Sequence, residues 1–355
     1  MSAPQQNIRI GLNLTVQYLP DERASKALDE HLRLVVVARE HGWDSVFVAQ
    51  HYMGGDMAHL QPLPLLGRLA AIAGGMRLGS GVCLLALQNP VDAAEAYATV
   101  DVLSGGRLVF GAGLGYRDLE YEAFGIGCAG RADRLVRNID LVRRLWSGQR
   151  VDADLPWCRL SGARLSVLPL QRPGPPVWLA ASSDGAVCRA ALLGDAWLIN
   201  PHASMATVLR QRSLYRRVRA EAGLPEPREV PLMREVVCAP DRKTAMTRAR
   251  KYLAAKYARY RAWGQDAVLP GGDRFASDLA VLSRDRFAIG DPDECRQRLR
   301  EWVELSGATD LLLRVHWAGA PIEHAVESME LLTGEVLPHL SRQLPASSSR
   351  RPEGD

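Results

Sequence analysis

Residues 76–115 read MRLGSGVCLLALQNPVDAAEAYATVDVLSGGRLVFGAGLG. Residues 77–85 are apolar with little alternation, the pattern of a strand buried on both faces. Pro90 opens a helical stretch whose alanines permit close packing, and Ser104-Gly105-Gly106 stops it. Residues 107–112 are a second buried strand. Two such strands joined by a helix form a right-handed βαβ unit. Gly79, Gly81, Gly111, Gly113 and Gly115 leave bare backbone where these strands end, the place where α/β proteins bind flat ligands.

The alternation continues on both sides. Strands are predicted at 8–13, 44–50, 176–181, 195–199, 230–238 and 309–316. Helices are predicted at about 22–41, 62–74, 131–147, 184–193, 204–222, from Pro292 onward, and at 321–337. Eight strands, each followed by a helix, predict a single (β/α)8 barrel of the α/β class. Two segments break the repeat. Residues 149–175, after the fourth strand and its helix, read as a β-hairpin insertion. Residues 239–288, after the seventh strand, hold a helix at 241–263 and then a Gly-, Asp- and Pro-rich loop of the kind that forms lids. Residues 341–355 lack core-forming side chains and read as a disordered tail, which leaves 1–340 as one domain.

Composition narrows the class. The chain has 355 residues, 47% of them hydrophobic, and a formal net charge of +4. Its charged runs mix both signs, as solvated helix faces do, and carry no recognition motif, so no nucleic-acid partner is predicted. No apolar run is long enough to span a bilayer, and MSAPQQNIRI lacks a signal-peptide core. Six dispersed cysteines form no CxxC pair. Reduced thiols in a cytoplasmic protein, with no metal site, are the expectation.

In a barrel, function is read at the carboxyl ends of strands. Here those ends offer Asn13, Gln50-His51-Tyr52, Gly81-Val82, Gly113, Ser182-Ser183, Asn200-His202, Arg234-Glu235 and His316. Glycoside hydrolysis needs two carboxylates across the mouth, and only Glu235 is a candidate. Amidohydrolase-type metal binding needs clustered histidines, which the first strand lacks. GAGLG (111–115) is not GxGxxG, and RDLEYEAFG follows it where a dinucleotide fold would start a helix. Ser182-Ser183 offers hydroxyls and free N–H groups at a helix start, suited to an anion or simply to capping by Ser183. His51, one strand before Gly81, would face a ligand lying on Gly81-Val82. Arg131, at another helix start, suits a phosphate clamp or a solvated surface.

LGSGVCLLALQNPVDAAEAYATVDVLSGGRLVFGAGLGYRDLEYEAFG (78–125) closely resembles the bacterial luciferase-like flavin-dependent monooxygenases. So do VAQHY (48–52), RLVRNIDLVRRLWSG (134–148), RPGPPVWLAASS (172–183) with LLGDAWLIN (192–200), and IGDPDECRQRLREWVELSGATDLLLRVHWAG (289–319). The matches run in order over about residues 8–340. The resemblance implies a barrel binding FMN, or the deazaflavin F420, at its carboxyl face. A non-prolyl cis peptide under the flavin ring would fall at Gly81-Val82. His51 matches the active-site histidine after the second strand, Arg131 an arginine holding the flavin phosphate, and Ser182-Ser183 the phosphate loop. Gly113 and Leu114 match ring-side and phosphate-side positions after the fourth strand. Leu114 replaces the arginine of luciferase proper, which departs from an identical phosphate grip and from light emission.

The implied activity is a two-component monooxygenase. Reduced FMN (FMNH2) from a separate NAD(P)H:flavin reductase would react with O2, and the resulting C4a-peroxyflavin would oxygenate a small organic substrate. His51 would hydrogen-bond or protonate the peroxide, and the 264–288 loop would close over the site. The same fold also serves F420-dependent hydride transfer and non-catalytic flavin-binding subunits. Family resemblance further implies a homodimer.

Overall fold

A computed structural model describes residues 5–343. Eight parallel strands form the barrel: β1 (Arg9–Leu14), β2 (Ser45–Val48), β3 (Arg77–Ser80), β4 (Leu108–Ala112), β5 (Val177–Ala181), β6 (Ala196–Ile199), β7 (Pro231–Cys238) and β8 (Asp310–Arg314). Each pairs with the next, and β8 pairs with β1 through Asp310↔Arg9 to Leu313↔Leu12, which closes the ring. The helices between them are α1 (Ala24–Glu40), α2 (Pro62–Ile72), α3 (Pro90–Leu103), α4 (Arg131–Trp146), α5 (Asp184–Leu193), α6 (Met205–Glu221), α7 (Pro292–Ser306) and α8 (Ile322–Leu331). The protein is thus a single (β/α)8 barrel.

Local chemistry fixes the helix ends. Asn89 caps α3 by accepting from Val91 N, Pro90 fills the first turn, and Gly105 and Gly106 at φ +67° and +77° end it. Asp291 and Glu294 form a reciprocal capping box on α7. Among the described residues, no helix is long and apolar enough to cross a membrane.

Two apolar layers result. The larger lies between barrel and helices and includes Trp43 and Trp146. The smaller fills the barrel itself with Phe47, Val109, Trp178, Ala196, Leu198, Met233 and Leu312. Phe47 and Trp178 stack with centroids 5.2 Å apart, a contact worth about 0.5–1.5 kcal/mol beyond burial. Below them, Arg9 and Arg77 share Glu229 and Asp310 at the amino end. The plugged interior forces any ligand to the carboxyl face.

Several expectations need correction. The strand predicted over 77–85 ends at Ser80, Cys83 keeps only an isolated parallel bridge to Ala112, and Leu85–Leu87 form a 3-10 turn. RDLEYEAFG does contain a helix, Asp118–Ala123; the ring of strands, not its absence, excludes a Rossmann site. Ser341–Gln343, assigned to a disordered tail, pair antiparallel with Gln5–Asn7; residues 344–355 lie outside the described residues.

The two insertions are resolved into elements. Val151–Leu155 and Cys158–Ala163 form the expected antiparallel hairpin. The helix after β7 runs from Arg242 to Ala262 through a π turn at Ala249–Leu253. The loop beyond it holds a 3-10 turn at Gln265–Val268 and a helix at Leu279–Ser283. It ends in an unforeseen strand, Phe287–Gly290, parallel to the carboxyl half of β7. Ala239 N donates to Gly290 O at 3.1 Å, so the excursion leaves and returns at one place.

Candidate active site

A cavity of about 460 Å3 opens at the carboxyl face. His51, Gly81, Val82, Gly113, Leu114, Arg131, Ser182 and Ser183 all line it. The eight sequence-selected residues therefore share one space, although they come from five different strand ends or helix starts.

The β3–β4 side is a wall of backbone. The Gly81-Val82 peptide is cis. A Cβ on Gly113 would stand 2.7 Å from Val82 Cγ2, and one on Gly81 would meet Met233 Cε at 3.0 Å. Gly113 has no room for a side chain beside the stiff Val82, whereas at Gly81 the flexible Met233 methyl would have to give way. Leu114 adds an apolar edge, and its carbonyl accepts from the Tyr121 hydroxyl.

The β5 side is polar and cationic. Ser183 caps α5 by accepting from Ala186 N at 3.3 Å, as the simpler sequence reading held. Ser182 Oγ accepts from Asn200 Nδ2 at 3.2 Å. Arg131 pairs with exposed Asp118 at 3.3 Å and lies over the Tyr121 ring. Arg189, one turn along α5, also lines this side. A helix start with two arginines beside it suits a phosphate.

His51 is held from behind. Its Nδ1 lies 3.4 Å from Glu120 Oε1, close but poorly aligned for a hydrogen bond. Glu120 Oε1 also accepts from Tyr52 N at 2.9 Å and Arg117 Nη1 at 3.2 Å. Burial works to raise the Glu120 carboxyl, but His51, Tyr52 N and Arg117 outweigh it and hold it low. Arg117 binds the Tyr52 and Met53 carbonyls where Met53 turns the chain at φ +45°. His59, Tyr116, Tyr260 and Trp263 surround the His51 ring at centroid distances of 5.1 to 6.1 Å. Burial, then His51, pushes His59 down to about 2, so it stays neutral.

The β7–β8 side holds Lys256 and Arg314. Lys256 Nζ binds Glu235 Oε1, Trp317 Nε1 donates to Oε2 at 2.6 Å, and Arg314 Nε lies 3.8 Å from Oε2. Burial, then Arg314, pushes Lys256 down to about 7 against the pull of Glu235. Burial favours protonated Glu235, but Lys256 and Arg314 prevail and keep it ionised. Gln265 and residues 267–270, from the loop expected at 264–288, also line the cavity.

The excursion after β7 thus supplies lining residues, a lysine and two aromatic rings beside His51. Sequence reasoning missed Arg117, Glu120, Arg189, Lys256, Tyr260 and Arg314. Arg314 had a signal: it is the charged residue in the apolar strand TDLLLRVH, at its carboxyl end. Lys256 had none, since its helix reads as a mixed-charge solvated face.

The comparisons bear on this geometry. A family model described as luciferase-like monooxygenase matches residues 8–309. The chain belongs to that family. It is an oxidoreductase of the luciferase-like type. It is 24% identical over 350 residues to the oxygenase component of the flavin-dependent trigonelline monooxygenase of Acinetobacter baylyi, covering 94% of this chain and 96% of that one. It is 26% identical over 338 residues to the F420-dependent glucose-6-phosphate dehydrogenase of Mycobacterium tuberculosis, covering 91% and 90%. Shorter matches, among them an uncharacterised protein of Sinorhizobium fredii, span about half of either chain. The solved structure of monooxygenase RslO1 from Streptomyces bottropensis superposes with a TM-score of 0.81 at 26% identity, covering 94% of this chain and 99% of that one.

Proposed function

We propose that this luciferase-like oxidoreductase is the oxygenase component of a two-component, FMN-dependent monooxygenase acting on a small organic substrate. The observation that carries the reading is the cavity's division of labour. One wall is bare backbone at Gly81 and Gly113, the next is a serine-capped helix start with Arg131 and Arg189, and a histidine with a carboxylate behind it faces both. A flat ring with a phosphate tail matches that order. Asn13 Oδ1 and Tyr116 OH are buried at the cavity without partners, free to meet polar ring-edge atoms.

Reduced FMN, when bound, supplies the electrons with which O2 is activated for transfer of one oxygen atom to substrate. The protein's part is positional. Gly81, Val82 and Gly113 seat the ring. Ser182, Ser183, Arg131 and Arg189 hold the phosphate. Glu120 keeps the His51 Nδ1 proton on its side, which leaves Nε2 to exchange a proton with the reacting centre. The roof at residues 265–270 excludes water from that exchange. Delivery of reduced flavin by a separate NAD(P)H:flavin reductase fits a relative described as an oxygenase component.

F420-dependent hydride transfer is the second reading, favoured by the near-complete match to an F420-dependent dehydrogenase. Affinities of the purified protein for FMN and F420, followed by turnover with and without O2, separate them. Tight FMN binding with oxygen-dependent product supports the first reading; preference for F420 with oxygen-independent turnover replaces it by the second.

A further inference from the structure

We propose that the β7–β8 side of the cavity is a subsite for a carboxylate group of the substrate, held by Lys256 and Arg314. The inference rests on the oxidoreductase reading only in placing substrate in this cavity.

Charge count is the first argument. The Lys256 and Arg314 side chains are each 3% exposed and share one carboxylate, Glu235. The nearby His202 stays neutral, pushed well below its usual range by burial first and then by Lys256 and Arg314. Glu120, across the His51 ring, is already engaged by Arg117 and Tyr52 N. Two buried basic side chains thus share a single carboxylate at this end of the cavity. A buried cation without an anion is unfavourable, and a ligand that supplies one gains what the protein alone leaves unmet.

Free donors are the second argument. Glu235 is saturated: Lys256 and the Tyr257 hydroxyl meet Oε1, and Trp317 meets Oε2. It serves as a fixed counter-ion rather than a base. Lys256 spends one donor on it, and its Nζ lies 4.7 Å from both the Tyr257 and Tyr260 ring centroids, the latter a cavity wall. Arg314 commits Nε to His316 O and Nη2 to Gln17, with no bond recorded for Nη1. The unpartnered Thr15 hydroxyl stands at the same end of the cavity.

Position is the third. Arg314 ends β8 and Thr15 follows β1, whereas Ser182 follows β5. In a ring of eight, β1 and β5 are opposite. This cationic site is therefore separate from the serine–arginine end proposed for phosphate, and the two anions of a cofactor–substrate pair would not compete.

Benzoate and its neutral isostere benzamide test the proposal, titrated calorimetrically into the FMN-saturated protein. Benzoate is expected to bind at least about tenfold more tightly than benzamide. Lys256→Met should remove that preference with FMN affinity unchanged, and Lys256→Arg should restore it. Should Lys256→Met fail to fold, Arg314→Gln takes its place and should weaken benzoate several-fold while leaving benzamide unchanged. Equal affinities for benzoate and benzamide in the unmodified protein, or benzoate binding unaltered by both variants, would overturn the subsite. Failure to bind FMN overturns the cofactor reading instead, and the benzoate comparison is then run on the cofactor-free protein.

Discussion

His51 Nδ1 and Glu120 Oε1 lie 3.4 Å apart, and the glutamate side chain is only 1% exposed. Nδ1 thus faces a buried carboxylate, and the imidazole lines the cavity. Glu120→Gln removes the charge but keeps an acceptor for Tyr52 N. Oxygen-dependent product formation should fall by about 10- to 100-fold in kcat, with FMN affinity changed far less. An unchanged kcat would mean that the carboxylate does not orient the histidine. Glu120→Ala should also lower stability by about 1–3 kcal/mol, since Arg117 and Tyr52 N lose their acceptor.

Arg189 has no ion pair recorded in the structure, whereas Arg131 is shared with Asp118. Arg189→Ala should weaken FMN binding by about tenfold and leave riboflavin binding unchanged, because only FMN carries the phosphate. Arg131→Ala should have a smaller effect. Fluorescence titration with both flavins measures the difference, and equal losses for the two would move the phosphate elsewhere.

Gly113→Ala places a methyl 2.7 Å from Val82 Cγ2. A valine side chain at the ring wall must then shift, costing about 1–3 kcal/mol by thermal or urea unfolding and weakening flavin binding with it. Gly185→Ala is the control. Nothing lies within 4 Å of its added carbon, and the residue is helical, so stability should hold or rise by about 0.5–1 kcal/mol.

His31 and His316 are buried with ring centroids 5.0 Å apart. Burial, then Arg314 among the charges, pushes His31 down to about 4; burial, then His31, pushes His316 down to about 3. Both values lie below 6.5, so at intermediate pH the unfolded chain binds more protons. Stability is full above about pH 6.5 and falls on acidification, by about 1.4 kcal/mol per pH unit for each histidine until its folded value is reached. Urea midpoints at about pH 7 and 5 should differ accordingly, and His316→Gln should flatten the slope.

The barrel was legible because period and punctuation agree along most of the chain. Pro90 with Ser104-Gly105-Gly106 marks helix limits, and Pro292 a helix start, that the structure keeps within a residue or two. The strand-end glycines and Ser182-Ser183 were legible because backbone exposure follows from residue type. Glu120 was not, since six residues of helix carry too little periodicity to separate from a loop. Lys256 was hidden by the π turn just before it, which rotates the helix out of the register that charge patterning assumes. Arg314 was visible as a charge in an apolar strand, but its partner Gln17 lies 297 positions away.

Ala239 and Gly290 are joined by one 3.1 Å hydrogen bond, though fifty residues lie between them. Loop-closure cost grows by only about 0.6 kcal/mol per doubling of length, so the barrel is nearly indifferent to how long that segment is. Lys256, Tyr260 and the roof all belong to it. The same segment also bonds Gln17, Asp56, Ser204 and Met205 across the barrel mouth, so grafting a relative's segment between Ala239 and Gly290 with those four partners kept should exchange the substrate preference while leaving the flavin seat intact.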